Sequence, residues 1–198
     1  MTILNLGLNS NVKPLFLHME LIETGFKGLI LIKPKVFIDE RGYFFESFNQ
    51  EKFESIGIKE KFNQDNQSLS NKGIVRGLHF QAPPHAQGKL VRVIKGAVQD
   101  VVVDIRKNAL TYGKSYSVEL SEENFLMLYI PPGFAHGFAT LQDHTIFSYK
   151  CTDTYHPECE GGLAWDDREF AIDWSVSAPI LSEKDKKYQA FSLFVSPF

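Results

Sequence analysis

The segment Ile74–Val93, IVRGLHFQAPPHAQGKLVRV, concentrates side chains that carry charge or exchange protons. Two arginines, two histidines and one lysine lie between short apolar runs, with Pro-Pro in the middle. Imidazole has a reference pKa of about 6.5, so it can act as a general acid or base near neutral pH. Guanidinium and ammonium groups bind anions and stabilise negative charge as it develops. The segment therefore suggests three chemistries: metal ligation, anion binding and proton transfer.

A second histidine motif, PPGFAH, bears on metal ligation. The spacing of Pro131, Gly133 and His136 resembles the second motif of the cupin superfamily, whose first motif is HxH followed closely by a glutamate. The matching stretch here reads HFQ from His79, and a lysine, Lys89, lies further on. Divalent metals require several neutral imidazoles or carboxylates that converge. We therefore expect a cupin barrel without its metal site.

The elements that must position these residues have the pattern of short strands. Runs rich in Val, Ile, Phe and Tyr recur between turn residues, as in all-β sandwiches and barrels. They are GLILIKP, YFFESF, IVRGLHFQ, KLVRVIKG, AVQDVVVDIR, SYSVEL, FLMLYIPPG and HTIFSYK. Helical periodicity is brief, in NQEKFESIG and around SEKDKKYQ. We predict an all-β fold, a cupin-type jelly-roll barrel (double-stranded β-helix) with a few short helices.

Alternation along a strand predicts which side chains face the interior of such a barrel. His79 and Gln81 share one face of their run, opposite Leu78 and Phe80. Glu46 lies among the aromatic residues of YFFESF, where burial of a carboxylate is costly unless it has a partner. Either Glu46 is a buried, partnered group, or YFFESF is an edge strand with Glu46 in water.

Composition limits the partners and the compartment. The chain has 198 residues and is 43% hydrophobic, which fits one domain with a sizeable core. Its net charge of −3 gives no reason to expect a nucleic acid or a membrane as partner. No apolar run reaches membrane-spanning length. Cys151 and Cys159 form no CxxC pair, so we expect two reduced thiols in a cytoplasmic protein.

The N-terminal segment differs from the rest of the chain. Residues 1–18 lack the basic start and the long apolar centre of a signal peptide. We interpret them as an extension of uncertain role. No long linker or internal repeat interrupts residues 19–198, which we predict to be a single cupin-like domain.

Longer motifs occur in a fixed order along the chain. They are FIDERGYFFESF, FNQDNQSLS, RGLHFQAPPHAQGKLVRVIKGAVQDVVVDIR, TYGK, YIPPGFAHGF, YKCTDTYHPECEGG and LSEKDK. Together they resemble the dTDP-4-dehydrorhamnose 3,5-epimerase family over residues 20–188. The resemblance implies an isomerase that inverts C3 and C5 of dTDP-4-dehydro-6-deoxy-D-glucose, without a cofactor, to give dTDP-4-dehydro-L-rhamnose.

The same resemblance implies the catalytic residues. His79 of RGLH corresponds to the base, and Asp185 of LSEKD to the group that holds its imidazole in the productive tautomer. Lys89 of QGKLV corresponds to the residue that stabilises the C4 enolate. Tyr149 of SYKCTD corresponds to the acid that returns a proton from the opposite face of the sugar ring.

Further residues are implied in holding the sugar, the pyrophosphate or the thymidine. They are Arg41, Phe44, Glu46, Gln64, Asp65, Asn66, Arg76, His136, Glu160 and Lys184. The planar fork of arginine suits phosphate oxygens. Members of the family are typically homodimers whose N-terminal strands pack on the partner, so the nucleotide site is expected to be completed between subunits.

One departure from the family leaves alternatives open. The family often has two adjacent aromatic residues after YKCTD, and this chain has Thr154-Tyr155. Loss of the first ring could reshape the wall beside the sugar. A first alternative is a single-carbon epimerase (C3 or C5) acting on a related dTDP-4-keto-6-deoxyhexose. Alternatives of another class are a metal-dependent cupin and a non-catalytic sugar-nucleotide binder.

Overall fold

The computed structural model describes residues 19–198. The predicted extension, residues 1–18, lies outside the described residues. Within the described range the chain is mostly strand, with one α-helix and short 3-10 helices. None of its helices there has the length and apolar character needed to cross a membrane.

The bounds of the elements are as follows. The strands are β1 (Met19–Glu23), β2 (Ile30–Pro34), β3 (Phe37–Asp39), β4 (Gly42–Phe44), β5 (Gln64–Ser70), β6 (Val75–Gln81), β7 (Lys89–Lys95), β8 (Ala97–Asp104), β9 (Ser115–Ser121), β10 (Met127–Ile130), β11 (Phe134–Thr140), β12 (Thr145–Cys151) and β13 (Glu160–Gly162). The helix α1 spans Gln50–Ser55, and the 3-10 helices span Pro157–Cys159, Arg168–Phe170, Asp185–Lys187 and Phe191–Leu193.

The strands form two sheets and a small hairpin. One sheet has the order β1-β2-β10-β7-β12-β5, the other β13-β6-β11-β8-β9, and β3 pairs only with β4. All these pairings are antiparallel. Consecutive strands such as β6 and β7 lie in different sheets, so the chain crosses repeatedly from one sheet to the other. This arrangement confirms the predicted jelly-roll barrel.

The main core lies between the two sheets. Val91 and Val93 of β7, Val98 and Val102 of β8 and Phe147 of β12 belong to one buried cluster drawn from both sheets. Each alternates with outward-facing residues, as the period of two requires. Burial of one such side chain contributes about 1.5–3 kcal/mol, so this cluster holds the sheets face to face.

The outer faces of the sheets are covered separately. Phe53 of α1 packs with Ile32 and Met127 against the six-stranded sheet. Asn49 caps the N-terminus of the helix, since its side chain accepts a hydrogen bond from the backbone N–H of Lys52 at 3.3 Å. On the five-stranded sheet, residues near the C-terminus cover a second buried cluster. Both sheets are therefore rigid supports for groups that face inward.

Most of the strand patterns are confirmed, and five strands were missed: the short strands β1, β3 and β13, and the longer strands β5 and β11. The polar run QDNQSLS forms β5 although Asn and Asp disfavour strands, because it pairs along its length with β12. FAHGFAT forms β11 between β6 and β8 despite its Gly and Ala content. The predicted strand YFFESF is shorter than expected, since only Gly42–Phe44 pairs. SEKDKKYQ forms only the 3-10 helix Asp185–Lys187.

Candidate active site

The two sheets enclose a polar cavity beside the apolar core. Its volume is about 420 Å³, and a second compartment of about 270 Å³ adjoins it. Three side chains line both compartments: His79, Lys89 and Tyr149. The cavity has the size typical of a small-molecule site.

Strand alternation explains why polar groups reach this cavity. Lys89 continues the inward-facing stripe of Val91 on β7, and Tyr149 continues that of Phe147 on β12. His136 lies between two buried phenylalanines on β11. Each strand thus contributes apolar residues to the core and one polar residue to the cavity.

An irregularity in β6 brings two of its residues into the cavity. Regular alternation would put Arg76 and His79 on opposite faces, yet both line the same cavity. Between them Gly77 has φ +135°, and a Cβ there would lie 2.5 Å from the Cα of Gly137. The register with β11 shifts at this point. The change of phase depends on a glycine that lets β6 approach β11 closely.

His79 is paired with Asp185 at the cavity wall. Its Nε2 lies 2.6 Å from Asp185 Oδ1, and the edge of its ring meets Tyr188, with ring centroids 5.6 Å apart. Burial acts to raise the pKa of Asp185, but hydrogen bonds from His79 and Ser182 outweigh it and hold that pKa below its ordinary value. Asp185 is therefore an ionised partner, and His79 Nδ1 is the nitrogen left to exchange a proton.

Lys89 and Tyr149 belong to the sheet opposite His79. Desolvation inside the barrel lowers the pKa of Lys89, with partial compensation from Cys151 and Asp100. Burial likewise raises the pKa of Tyr149 above its ordinary value. The phenol is thus protonated at neutral pH, and the cavity has a proton donor on one wall and an imidazole on the other.

A second histidine–carboxylate pair lies deeper in the barrel. His136 Nε2 is 2.9 Å from Asp100 Oδ2, and both side chains are buried. Burial lowers the pKa of His136 despite the opposing effect of Asp100. Asp100 was not among the predicted site residues. Its alternation with Val98 and Val102 on β8, which places it on the inward face, was the available signal.

The adjoining compartment contains a network around Glu160. Its Oε2 accepts hydrogen bonds from Lys184 Nζ at 2.5 Å and from Tyr155 Oη at 2.6 Å. Gln64 Oε1 accepts from the backbone N–H of Tyr155 at 2.8 Å. Asn66 lines the same compartment. Several predicted binding residues are therefore close together, although the chain separates them widely.

Asp65 and Thr154 lie apart from this network. Asp65 occupies the strand position between Gln64 and Asn66, so alternation turns it outward, where it pairs with Lys150 at 2.9 Å. Thr154 is exposed and lines neither compartment, whereas Tyr155 lines the second. The predicted substrate contact of Asp65 has no counterpart inside this cavity.

Three further predicted residues lie in the β3–β4 hairpin or directly after it, away from the cavity. Arg41 is exposed and forms a fork with Asp39, with a shortest distance of 2.5 Å. Phe44 is 70% exposed. Glu46 is exposed and pairs with Lys52 at 2.7 Å, which agrees with the solvent-facing alternative for this carboxylate. The structure does not bring these residues to the barrel cavity.

The cupin metal positions hold an unsuitable donor set. Gln81, at the second position of the HxH motif, uses its side chain on the backbone: Nε2 donates to Thr154 O at 3.0 Å, and Oε1 accepts from His156 N at 2.8 Å. His79 and His136 are then the only imidazole donors at these positions, and the ammonium of Lys89 lines the same cavity. These residues fit proton transfer better than metal ligation.

The fold and the site define the class of protein: a cupin-like barrel whose polar cavity is equipped for proton transfer. The family model described as dTDP-4-dehydrorhamnose 3,5-epimerase matches residues 23–192. The dTDP-4-dehydrorhamnose 3,5-epimerase of Methanothermobacter thermautotrophicus is 51% identical over 171 residues, covering 85% of this chain and 92% of that protein. The chain belongs to the dTDP-4-dehydrorhamnose 3,5-epimerase family.

Solved structures agree with this membership. A dTDP-6-deoxy-D-glucose-3,5-epimerase from Legionella pneumophila, in complex with dTDP-4-keto-L-rhamnose, has a TM-score of 0.87 and 46% identity. That match covers 90% of this chain and 95% of the other. A more distant 3'-monoepimerase from Streptomyces bikiniensis, in complex with dTDP-quinovose, has a TM-score of 0.80 and 28% identity, covering 84% and 85% of the two chains.

Proposed function

We propose that this chain inverts C3 and C5 of dTDP-4-dehydro-6-deoxy-D-glucose to give dTDP-4-dehydro-L-rhamnose. The observation that carries the proposal is the cavity in which His79, paired with Asp185, and Tyr149 belong to opposite sheets, with Lys89 between the two compartments. Family membership supplies the substrate class.

The reaction needs more than a base. The C3 and C5 hydrogens both flank the C4 carbonyl, so removal of either gives an enolate. A simple ketone is a weaker acid than imidazolium by roughly ten pKa units, which corresponds to about 14 kcal/mol. A group directed at the C4 oxygen, where the negative charge develops, must reduce this difference. In this chain we assign that role to Lys89.

Inversion also needs a donor on the face opposite the base. We assign proton abstraction to His79, with Asp185 fixing its tautomer. We assign proton return to Tyr149, whose raised pKa keeps it protonated until the enolate forms. The same pair serves both carbons in turn, because C3 and C5 lie on either side of one carbonyl. The reaction requires no cofactor.

The nucleotide part of the substrate extends beyond the sugar cavity. Arg76 and Lys184 at the cavity wall are cations suited to the pyrophosphate. We assign the second compartment, with Gln64, Asn66 and Glu160, to contacts with the sugar nucleotide.

We further propose a homodimer in which the β3–β4 hairpin completes the partner's nucleotide site. Ile38, Tyr43 and Phe44 are 78%, 58% and 70% exposed, an unusual amount of apolar surface for one hairpin. Such a role would explain why Arg41, Phe44 and Glu46 lie away from the cavity of their own chain. Sedimentation of wild type and of Ile38→Asp tests it: we expect a dimer and a weakened dimer. Leu110→Asp, at a position 98% exposed, is the control, and a monomeric wild type would exclude the proposal.

We place the enzyme in the cytoplasm. Cys151 and Cys159 are both free thiols, as expected in a reducing compartment.

Proton NMR in heavy water tests the reaction. With dTDP-4-dehydro-6-deoxy-D-glucose we expect solvent deuterium at both C3 and C5, and a product that is reduced to a rhamnose nucleotide. Deuterium at one carbon alone would instead support a single-carbon epimerase, the alternative that the similarity to a monoepimerase suggests. Binding without exchange would indicate a non-catalytic module. Loss of exchange after metal chelation would indicate a metal-dependent enzyme.

A further inference from the structure

A second group of ligand-type side chains lies outside the catalytic cavity. The loop before β7 carries His85, and the loop after β12 carries Asp153 and His156. One ligand atom from each of the three lies within 4.8 Å of the others, and no other such grouping occurs among residues 19–198. We propose that these side chains bind one divalent transition-metal ion, with Zn²⁺ as the representative. This proposal does not depend on the epimerase assignment.

The distances suit ligands of a single ion. His85 Nδ1 is 3.1 Å from Asp153 Oδ2. Ligands of a tetrahedral zinc ion, with bonds of about 2.0–2.1 Å, are separated by about 3.3 Å. The rings of His85 and His156 are stacked, with centroids 3.5 Å apart and an angle of 7° between their planes. Because the lone pairs of stacked rings lie in parallel planes, one imidazole must turn out of the stack for all three donors to meet at one ion.

A fourth residue supports one of these ligands from outside. His156 Nδ1 lies 3.0 Å from Glu158 Oε1, so its N–H can donate to that carboxylate. This leaves His156 Nε2 as the metal donor, now 3.3 Å from the hydroxyl of Thr154, which can rotate away. A carboxylate that fixes the tautomer of a ligating histidine is the usual outer shell of a zinc site.

The backbone that carries the ligands is held in place by two glutamines. Gln81 Nε2 donates to His85 O at 2.5 Å, and its Oε1 accepts from His156 N. Gln87 Nε2 donates to Asp153 O at 2.7 Å. The three ligands are therefore positioned before any ion binds, and only their side chains need to adjust.

The site is accessible, and its donors select the metal. The side chains of His85, Asp153 and His156 are 36%, 34% and 29% exposed, so an ion can enter from solvent. Two imidazoles and one carboxylate favour Zn²⁺, Ni²⁺ or Cu²⁺ over Mg²⁺ and Ca²⁺, which prefer all-oxygen sites. Three protein ligands leave a fourth position for water.

Binding there would connect two loops that border the second compartment. Gln87 and Tyr155, in the same loops as the ligands, line that compartment. A bound ion would cross-link the loops and stabilise the folded chain, since a ligand specific for the native state raises the melting temperature. The predicted effect is on stability and on the wall of the compartment, outside the groups that transfer protons.

Calorimetric titration of the tag-free, metal-stripped full chain with Zn²⁺ tests the proposal. We expect one ion per chain and a higher melting temperature. His85→Ala and His156→Ala should each weaken binding by more than the 10- to 100-fold that is typical for loss of an outer-shell group, and Glu158→Gln should fall within that range. His144→Ala, at an exposed histidine at the other end of β12, should bind as wild type does.

Two results would overturn the site. One is wild-type binding no tighter than that of the double variant His85→Ala/His156→Ala. The other is equal loss of affinity in His144→Ala. Melting curves recorded without zinc check that the variants fold, and the absorption spectrum of the Co²⁺ form gives an independent measure: tetrahedral coordination in wild type, lost in the double variant.

Discussion

Two histidine–aspartate pairs lie side by side in the barrel, and they differ in burial and in the element that supplies the aspartate. His79 and His136 are register partners on β6 and β11. The His79 side chain is 30% exposed and its partner Asp185 comes from a 3-10 helix outside the sheets. The His136 side chain is 7% exposed and its partner Asp100 is fully buried on β8.

From this difference we propose different tasks for the two pairs. A base must gain and lose protons, which needs access to substrate and a partner that stabilises the imidazolium. His79 meets both conditions. Burial lowers the pKa of His136, so that histidine stays neutral and acts as a fixed hydrogen-bonding group. Two pairs built from the same residue types on neighbouring strands are thus expected to act differently, because only one of them is open to solvent.

The largest effect is expected from a variant that breaks the first pair, His79 and Asp185. His79→Asn should lower kcat by about 10²- to 10⁴-fold, because proton abstraction is lost while the side chain keeps a polar group. The rate of deuterium uptake at C3 and C5 measures it. His136→Asn is the comparison, and there the change should fall mainly on KM and on the melting temperature. Equal losses of kcat in both variants would contradict the division of tasks.

Lys89 borders both pairs, and its removal is expected to have the next largest effect. Lys89→Met should lower kcat by about 10²- to 10³-fold, the usual cost of losing one oxyanion donor. It should also raise the pKa of His136, which the charge of Lys89 helps to lower. Steady-state kinetics and histidine NMR titration measure the two effects. Lys95→Met, at the exposed end of β7, is the control and should change neither.

Substitution of Tyr149 tests whether the His79–Asp185 pair works with a separate acid. Tyr149→Phe keeps the ring and removes the proton, so product formation should fall by about 100-fold. Deuterium uptake should fall less, because His79 still removes the hydrogen. Tyr116→Phe, another tyrosine whose pKa burial raises, is the matched control. Wild-type product formation by Tyr149→Phe would show that another group returns the proton.

The smallest expected effect is the pH dependence of folding stability that arises from the second pair, His136 and Asp100. The folded-state pKa of His136 is below its ordinary value of 6.5, so the unfolded chain binds more protons as pH falls. Its contribution to stability is complete above about pH 6.5 and is lost as pH falls through the lower, folded-state pKa, by at most about 1.4 kcal/mol per pH unit.

Melting temperatures of wild type and His136→Gln between pH 8 and the onset of acid unfolding measure this contribution. The curves should converge as pH falls below about 6.5. A constant separation would mean that His136 does not titrate differently in the folded chain. The lowered pKa of Asp185 has the same sign, but its ordinary value of 3.8 moves its contribution to more acidic conditions.

Much of the fold followed from local pattern. Runs rich in Val, Ile, Phe and Tyr identified β2, β6, β7, β8, β9, β10 and β12, and alternation predicted that His79 and Gln81 share a face. Strands of weak propensity were missed, because β5 and β11 exist through their hydrogen-bonded neighbours and not through their own residues. Local rules succeed where a segment's own composition determines its conformation.

The candidate site likewise contains residues that the sequence predicted and residues that it missed or misplaced. Motif order pointed to His79, Lys89, Tyr149 and Asp185, and all four line one cavity. Asp100 was missed because its partner, His136, is 36 residues away along the chain. Asp65 was grouped with Gln64 and Asn66 by sequence, and strand geometry turned it outward.

The sequence by itself determined the barrel class, the family and the residue types available for proton transfer. Only the tertiary structure decided which of them meet. Asp185 reaches His79 across 106 residues of chain, and Arg76 joins His79 because Gly77 allows β6 to change phase against β11. Side-chain periodicity is a property of neighbouring residues, whereas the meeting of two strands and the water excluded between them depend on contacts that no local pattern contains.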